Sequence, residues 1–181
     1  VDEGAIGELT EVHYYDGNRG SHRFTQVEYT DSGEMHFAGE ETEGEPEGDI
    51  WFHAADVGGG SLMDYLGYGV TLGTWFRDGE VPTEVTTETH NPDWSEVDEQ
   101  SVTIARYETG LSTFQTSWNT FTDPWVSQPQ PKCGFVLKGT AGTIASYDYQ
   151  DSVRVQTEDD PEGYEEPVDD LEPPIENSLQ Y

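Results

Sequence analysis

The segment from residue 58 to residue 76, GGGSLMDYLGYGVTLGTWF, constrains the fold of this chain more than any other stretch. A run of three glycines precedes Ser61, which is a suitable N-cap for a helix that begins at Leu62. Apolar and small residues recur at helical spacing after that point, and they predict one buried face. This predicted face consists of Leu62, Leu66, Val70 and Gly73. We therefore interpret the segment as a single amphipathic helix.

Glycines inside the predicted helix, namely Gly67, Gly69 and Gly73, oppose its formation. Each costs about 1 kcal/mol relative to alanine, so together they cost roughly 3 kcal/mol. We expect this loss to be offset by the close approach of another group to the helix. A second backbone, a cofactor or a substrate would fit the space that missing side chains leave.

Asp64 and Tyr68 stand four residues apart, and therefore on the same face of the helix. A carboxylate in an apolar, glycine-rich helix is expected to be partly buried, and then hydrogen-bonded or paired. The Tyr68 phenol could exchange a proton with a substrate hydroxyl if a nearby cation favours the phenolate. The alternatives are a surface carboxylate at Asp64 and an ordinary core residue at Tyr68.

Composition restricts the partners of the chain. Its 181 residues include 7 Lys plus Arg against 38 Asp plus Glu, which gives a net charge of −31. Such a chain repels nucleic-acid phosphates and anionic lipids, so we expect it to bind no nucleic acid and no membrane. Aromatic residues make up 12% of the chain, which argues against disorder. A halophilic origin explains the acidity, because screening extends only about 3 Å at 1 M salt.

Cys133 is the only cysteine, so no intrachain disulfide can form, and we interpret it as a small buried residue. No apolar run approaches the roughly 20 residues of a membrane helix. A signal-like start is also lacking, and we expect a cytoplasmic protein. The histidines show no metal-ligand spacing, and the acidic loop at residues 39–49 lacks the oxygen-ligand pattern of an EF-hand. The sequence therefore predicts no metal site.

Alternating apolar residues predict several strands. A first strand lies within residues 4–15, and another covers residues 83–89. Two hairpins follow, one from residues 101–107 and 111–118, the other from residues 135–138 and 143–147, and a further strand covers residues 152–157. Residues 158–174 are expected to be surface coil, and a helical pattern begins at Ile175. One helix and several hairpins predict an α+β domain with an open, mostly antiparallel sheet and helices on one face.

The open face of this sheet, with Thr103, Thr113 and Gln115, is expected to meet a partner. A second set of residues could form an aromatic and hydroxyl wall for a sugar-like substrate, since flat rings stack on C–H faces. This set contains Trp51, Thr116 and Trp118. His53, beside the glycine run, is a further candidate, and core packing is the alternative for each aromatic residue.

The glycine run, two apolar residues, Asp64 and then Tyr68 resemble the helix that opens the second domain of the Gfo/Idh/MocA oxidoreductases. The glucose-fructose oxidoreductase-like branch is the most similar. The Gly-x-Ile-Gly start at Gly4 and the Gly-Thr-x-Gly turn at Gly139 are also similar to that family. One departure is Gly67, which comes three residues after the aspartate where the family usually has a glycine two residues after it.

The resemblance implies that residues 1–181 are a single substrate-binding and oligomerising domain, truncated at both ends and lacking its N-terminal nucleotide-binding domain. The complete protein would be an NAD(P)-dependent oxidoreductase acting on a sugar, polyol or related hydroxy compound. Asp64 would orient the substrate hydroxyl, while Tyr68 and a lysine of the absent domain would handle the proton. Gly58, Gly59 and Gly60 would lie near the NAD or NADP that the absent domain mainly binds. The open sheet face would form a homo-oligomer.

A non-catalytic sugar-binding or assembly module with the same sheet is the alternative function. The fragment by itself is expected to be inactive under either reading. A nucleotide-binding fingerprint followed by Glu-Lys-Pro in the upstream reading frame would favour the enzyme.

Overall fold

The computed structural model describes residues 1, 4–17, 26–29, 35–38, 53–93, 95–118, 133–147 and 150–169. Within these ranges one α-helix and ten strands are present, together with a 3-10 turn at Ala55–Val57. In chain order they are β1 (Leu9–Gly17), β2 (Gln26–Tyr29), β3 (Met35–Ala38), α1 (Ser61–Phe76), β4 (Glu84–His90), β5 (Gln100–Arg106), β6 (Leu111–Ser117), β7 (Gly134–Gly139), β8 (Gly142–Tyr147), β9 (Ser152–Thr157) and β10 (Tyr164–Pro167).

Eight of the strands form one open sheet in the order β10-β9-β8-β7-β1-β6-β5-β4, and β2 pairs with β3 in a separate hairpin. Neighbouring strands in the large sheet are antiparallel except β1 and β6, which are parallel. The connection between these two parallel strands contains α1, which packs against β1, β5 and β6. The predicted α+β class, with an open, mostly antiparallel sheet and a helix on one face, is confirmed.

Strand predictions succeeded where side chains alternate between the two faces of the sheet. In β5, buried Ser101, Thr103 and Ala105 alternate with exposed neighbours, and its hairpin with β6 is present as predicted. The second predicted hairpin is β7 with β8, which turns at the Gly139–Gly142 segment. A Cβ atom on Gly139 would collide with the carbonyl oxygen of Ile6, so a side chain could not be accommodated at that turn.

Two other predictions need correction or extension. Part of the expected coil at residues 158–174 is strand β10, whose four residues are all exposed and pair with β9 at the sheet edge. Acidic residues and Pro167 suit such an edge, where one side of the strand needs no partner. The hairpin of β2 and β3 was not predicted. The acidic loop at residues 39–49 and the helical pattern at Ile175 lie outside the described residues.

The buried face of α1 agrees only in part with the predicted one: Gly73 is buried and Leu66 packs against the core, but Val70 does not. Val70 is 42% exposed, whereas Ser61, Gly69 and Gly73 are buried. A Cβ atom on Gly69 would lie 2.6 Å from Cδ1 of Tyr14, and one on Gly73 would lie 2.9 Å from Cζ of Phe114. The helix therefore turns two glycines toward the sheet, and aromatic rings of β1 and β6 occupy the space. Close approach does offset the poor propensity at these two sites, but the approaching groups belong to the sheet of this domain.

Arg77 fixes the C-terminal end of α1. Its buried guanidinium donates from Nε to Oγ of Ser112 at 3.1 Å, from Nη1 to Oγ1 of Thr109 at 2.7 Å and from Nη2 to the carbonyl oxygen of Leu111 at 2.8 Å. It also stacks on the ring of Tyr107, with Cζ 4.2 Å from the ring centroid. These contacts join the end of the helix to the start of β6.

The open face of the sheet is only partly as predicted. The prediction for Thr103 is wrong, because this residue is buried on the face of the sheet that packs against α1. Its hydroxyl there lies 2.9 Å from the hydroxyl of Thr87. Thr113 pairs with Ile104, and Gln115 pairs with Val102. Alternation along β5 and β6 places these four residues on the face opposite α1. Ile104 and Val102 are exposed there.

The glycine contacts predict opposite effects for alanine substitutions at two glycines that are two residues apart, and therefore on opposite sides of α1. Gly69→Ala should lower the free energy of unfolding by about 1–2 kcal/mol, because overpacking against Tyr14 and Phe114 exceeds the propensity gain. Gly67→Ala should raise it by about 0.5–1 kcal/mol, because nothing lies within 4 Å of the added Cβ. Denaturant unfolding of the two variants measures the difference. Equal stabilisation by both substitutions would contradict the packing described for α1.

Candidate active site at the first turn of helix α1

Asp98 caps the N-terminus of α1 from outside the helix. Its Oδ2 accepts a hydrogen bond from Oγ of Ser61 at 2.6 Å and another from the backbone N–H of Leu62 at 2.9 Å. The backbone N–H of Ser61 donates to the carbonyl oxygen of Asp98 at 3.0 Å. Gly60 is the N-cap residue and Ser61 is the first helical residue, so the predicted capping role of Ser61 is wrong. A distant side chain satisfies the donors that a local cap would otherwise bind.

Three buried hydroxyl groups hold this first turn against the sheet. Oγ1 of Thr116 lies 2.9 Å from Oγ of Ser61 and 2.7 Å from Oγ of Ser101. Thr116 is 2% exposed. The structure therefore places Thr116, a predicted substrate-binding residue, within an internal hydrogen-bond network that joins α1 to β5 and β6.

Asp64 lies one turn into the helix and is partly buried. Its Oδ2 accepts a hydrogen bond from Nε1 of Trp118 at 3.3 Å, and Trp118 is 1% exposed. Burial raises the pKa of the Asp64 carboxyl, while the indole hydrogen bond opposes that rise. The expectation of a partly buried, hydrogen-bonded carboxylate is met, and the functional role of Asp64 stays a prediction.

Asp16, at the end of β1, is a second carboxylate of this site that sequence analysis missed. Burial is the largest cause that raises its pKa to about 6, and the negative charge of Asp64 raises it further. Hydrogen bonds from the Tyr14 phenol, at 2.6 Å, and from the backbone of Gly17 oppose the rise. The alternation that places Val12 and Tyr14 toward the helix extends to Asp16, and this signal could have identified it.

The other predicted residues differ in what the structure shows. The rings of His53 and Trp118 meet edge to face, with their centroids 5.2 Å apart. Trp51 lies outside the described residues. Tyr68 follows Asp64 by one helical turn and is 59% exposed. The cation that Tyr68 would need is not Lys138, because Nζ of Lys138 binds Glu11 at 3.0 Å on the opposite face of the sheet.

Two glycines of the predicted cofactor-proximal run, Gly58 and Gly60, have different surroundings. Gly60 has φ +113°, and a Cβ atom there would lie 2.5 Å from Oδ1 of Asp98, so this residue is required by the helix cap. Gly58 has φ +85° and nothing within 4 Å of an added Cβ, so its backbone is open to approach. Because Asp98 already binds the first turn of α1, an anionic pyrophosphate would meet a carboxylate at this helix N-terminus.

No described helix has the length and apolar character that a membrane crossing requires. Likewise, His, Cys, Asp and Glu side chains do not assemble into a set of three or more suited to a metal ion within the described ranges. These two findings concern the described part of the chain alone.

An open, mostly antiparallel sheet with one helix packed across it is the fold of the GFO/IDH/MocA C-terminal domain. Residues 1–145 match the family of the GFO/IDH/MocA C-terminal domain. The chain therefore belongs to that family, as the residues of the central helix indicated. No curated protein matches it significantly.

Solved structures support the same fold. Levoglucosan dehydrogenase, in complex with NADH and levoglucosan, is 16% identical, with a TM-score of 0.65 over 92% of this chain and 41% of that chain. An NAD-binding oxidoreductase from Klebsiella pneumoniae is 14% identical, with a TM-score of 0.61 over 92% of this chain and 41% of that chain. An oxidoreductase from Pseudomonas syringae is 10% identical, with a TM-score of 0.60 over 95% of this chain and 38% of that chain. This chain thus spans about two fifths of each structure.

The raised pKa of Asp16 predicts that its carboxylate destabilises the fold at neutral pH. The unfolded chain releases this proton near pH 4, whereas the folded chain holds it to about pH 6. The stabilising contribution of the bound proton is therefore complete below about pH 4 and lost as the pH rises through 6. Asp16→Asn should raise the free energy of unfolding by about 1–3 kcal/mol at pH 8, and the gain should vanish near pH 4.

Thermal or denaturant unfolding across this pH range measures the effect. Asp78→Asn is the matched control, since Asp78 is exposed and its φ of 51° is one that asparagine tolerates. A gain for Asp16→Asn that stays constant from pH 4 to pH 8 would contradict the assignment.

Proposed function

We propose that this chain is the substrate-binding and oligomerising domain of an NAD(P)-dependent oxidoreductase that acts on a sugar, polyol or related hydroxy compound. The observation that supports the proposal most is the partly buried Asp64, bound by Trp118 on the helix that also presents the exposed Tyr68. Names of similar structures add support, because levoglucosan dehydrogenase is described in complex with NADH and with levoglucosan or L-sorbose.

In this proposal Asp64 accepts a hydrogen bond from the reacting hydroxyl. The indole N–H of Trp118 restricts the carboxylate to one orientation, which favours a fixed substrate position. Tyr68 exchanges the hydroxyl proton, and a lysine of the N-terminal domain supplies the cation that favours the phenolate. Bound NAD or NADP supplies the hydride chemistry, and the N-terminal domain provides most of its binding site.

In this proposal His53 and Trp51 line the substrate site, and Trp118, which is 1% exposed, supports it from within through Asp64 and His53. Trp118 and His53 are already in contact beside Asp64, which supports their assignment. Thr116 contributes indirectly, because its hydroxyl binds Ser61 and Ser101 beneath the first turn of α1. For the cofactor, the open backbone at Gly58 is the element of this chain that suits close approach.

We also propose that the face of the sheet opposite α1 forms the contact between subunits of a homo-oligomer. Val102 and Ile104 are 43% and 46% exposed on this face, and Leu111 of the adjacent strand is 41% exposed. Apolar side chains grouped on neighbouring strands favour burial against a second copy. A halophilic origin, a cytoplasmic location and a single domain that follows an N-terminal nucleotide-binding domain stay predictions from the sequence.

The non-catalytic sugar-binding or assembly module is the second candidate. It needs no cation beside Tyr68, and Lys138 is bound to Glu11 on the far face of the sheet. The two candidates differ in whether a complete protein containing this chain oxidises hydroxy compounds.

Substitutions in the complete oxidoreductase test the assigned roles. Tyr68→Phe should lower kcat by about 10²–10⁴-fold, because general acid–base catalysis typically contributes this much. Asp64→Asn should lower kcat/KM by at least about tenfold, since it removes the charged hydrogen-bond acceptor. Steady-state kinetics with NAD or NADP and a panel of sugars and polyols measures both changes.

Tyr164→Phe is the matched control for the phenol, because Tyr164 is exposed in strand β10 at the edge of the sheet. It should retain the kcat of the unmodified enzyme. Turnover that is unchanged in both Asp64→Asn and Tyr68→Phe, with folding intact, would reject their catalytic roles. A complete protein that oxidises none of these compounds would favour the module.

A further inference from the structure

Asp16 lies beneath the first turn of α1, on the side of the sheet that the helix covers. It pairs in register with Thr116, whose hydroxyl contacts Ser61 at the start of the helix. Asp64 is one turn further along the same helix, and its negative charge repels the ionised Asp16 carboxylate. The Tyr14 phenol donates to Asp16 at 2.6 Å, while the ring of Tyr14 faces Gly69 of the same helix. Two carboxylates from different elements therefore share one partly buried space.

We propose that Asp16 is a positioning residue of the oxidoreductase, and that its charge state controls how strongly Asp64 attracts the proton of a bound substrate hydroxyl. This inference rests on the proposed function and adds to it a residue outside the glycine-rich helix. Asp16 acts through Asp64, so it needs no contact with substrate.

Several titratable or charged groups face this pair from the packed elements. Tyr14 on β1 contacts Asp16 directly, and Trp118 after β6 contacts Asp64. The other titratable groups on the packed elements are Tyr68 on α1, His53 against the ring of Trp118, and Asp98 at the helix cap. Strand β6 contributes the uncharged Thr116 and Ser117. Of the described lysines and arginines, Arg77 is bound at the opposite end of α1 and Lys138 on the other face of the sheet. Arg106 pairs with Glu84 and Arg154 with Glu165, both at exposed positions on the outer strands. Within the described ranges, the like charge of Asp64 is therefore not offset by a lysine or arginine at this site.

The charge on Asp16, and with it the proton affinity of Asp64, should therefore change near pH 6. Below this value Asp16 is neutral, because its raised pKa is about 6. Above it, the negative charge of Asp16 stands beside Asp64 and increases the attraction of Asp64 for a proton. Loss of a proton from the substrate hydroxyl is then favoured, so oxidation of the hydroxyl compound should decline as the pH falls through 6.

The test is the pH dependence of kcat/KM for hydroxyl oxidation, measured on the complete oxidoreductase. The unmodified enzyme should show an acid limb with a midpoint near pH 6. Asp16→Asn should lose this limb. Tyr14→Phe should move its midpoint upward by about 0.5–1 pH unit, since it removes a hydrogen bond that lowers the pKa of Asp16. Tyr14→Phe keeps the ring against Gly69, so it retains the packing of α1 even where Asp16→Asn alters the fold.

Asp78→Asn again serves as control and should keep the midpoint of the unmodified enzyme. Asp16→Asn and Tyr14→Phe enzymes that both retain the unmodified limb would overturn the inference. If Asp64→Asn lowers kcat/KM in that experiment, the coupling alone is wrong and the proposed function stands. If Asp64→Asn leaves kcat/KM unchanged, the proposed function fails, and the coupling to substrate fails with it.

Discussion

The contact between α1 and the sheet is the interaction on which the rest of this structure depends. Gly69 and Gly73 let the helix approach the rings of Tyr14 and Phe114 more closely than any larger residue would allow. That approach brings Asp64 over the end of β1, where Asp16 is held by the phenol of the same Tyr14. One aromatic residue thus contributes both to packing of the helix and to the hydrogen bonding of the site.

The two ends of the helix are fixed by different kinds of partner. Asp98 binds the first turn, and Arg77 joins the last turn to β6 and its preceding loop. Each charged group is buried but well supplied with hydrogen bonds, which offsets the cost of removing it from water. Asp16 differs from them, because its burial raises its pKa and costs stability when it ionises. Groups of this kind are commoner at functional sites than in structural networks.

Much of the fold could be predicted because alternating residues specify sheet faces in β5 through β9. The exposed acidic strand β10 could not, since its pairing depends on the neighbouring edge and little on its own residues. The predicted face of α1 was right for Leu66 and Gly73 and wrong for Val70, because hydrophobicity favoured Val70 whereas the rings of the sheet leave room only for Gly69 and Gly73. Asp64 was recognisable as a charge inside an apolar helix. For Asp16, alternation along β1 indicates the face on which it lies, but its burial and its raised pKa depend on a helix far along the chain, which the residues around Asp16 do not specify.

An NMR titration of the aspartate side-chain carboxyl carbons tests most directly whether Asp16 and Asp64 share a buried space beneath α1. Burial and the negative charge of Asp64 predict a midpoint for Asp16 near pH 6. The midpoint should be lower in Asp64→Asn, where the repelling charge is absent. A midpoint for Asp16 near the ordinary value of about 4, unchanged by Asp64→Asn, would show that the two carboxylates do not share a buried space beneath the helix.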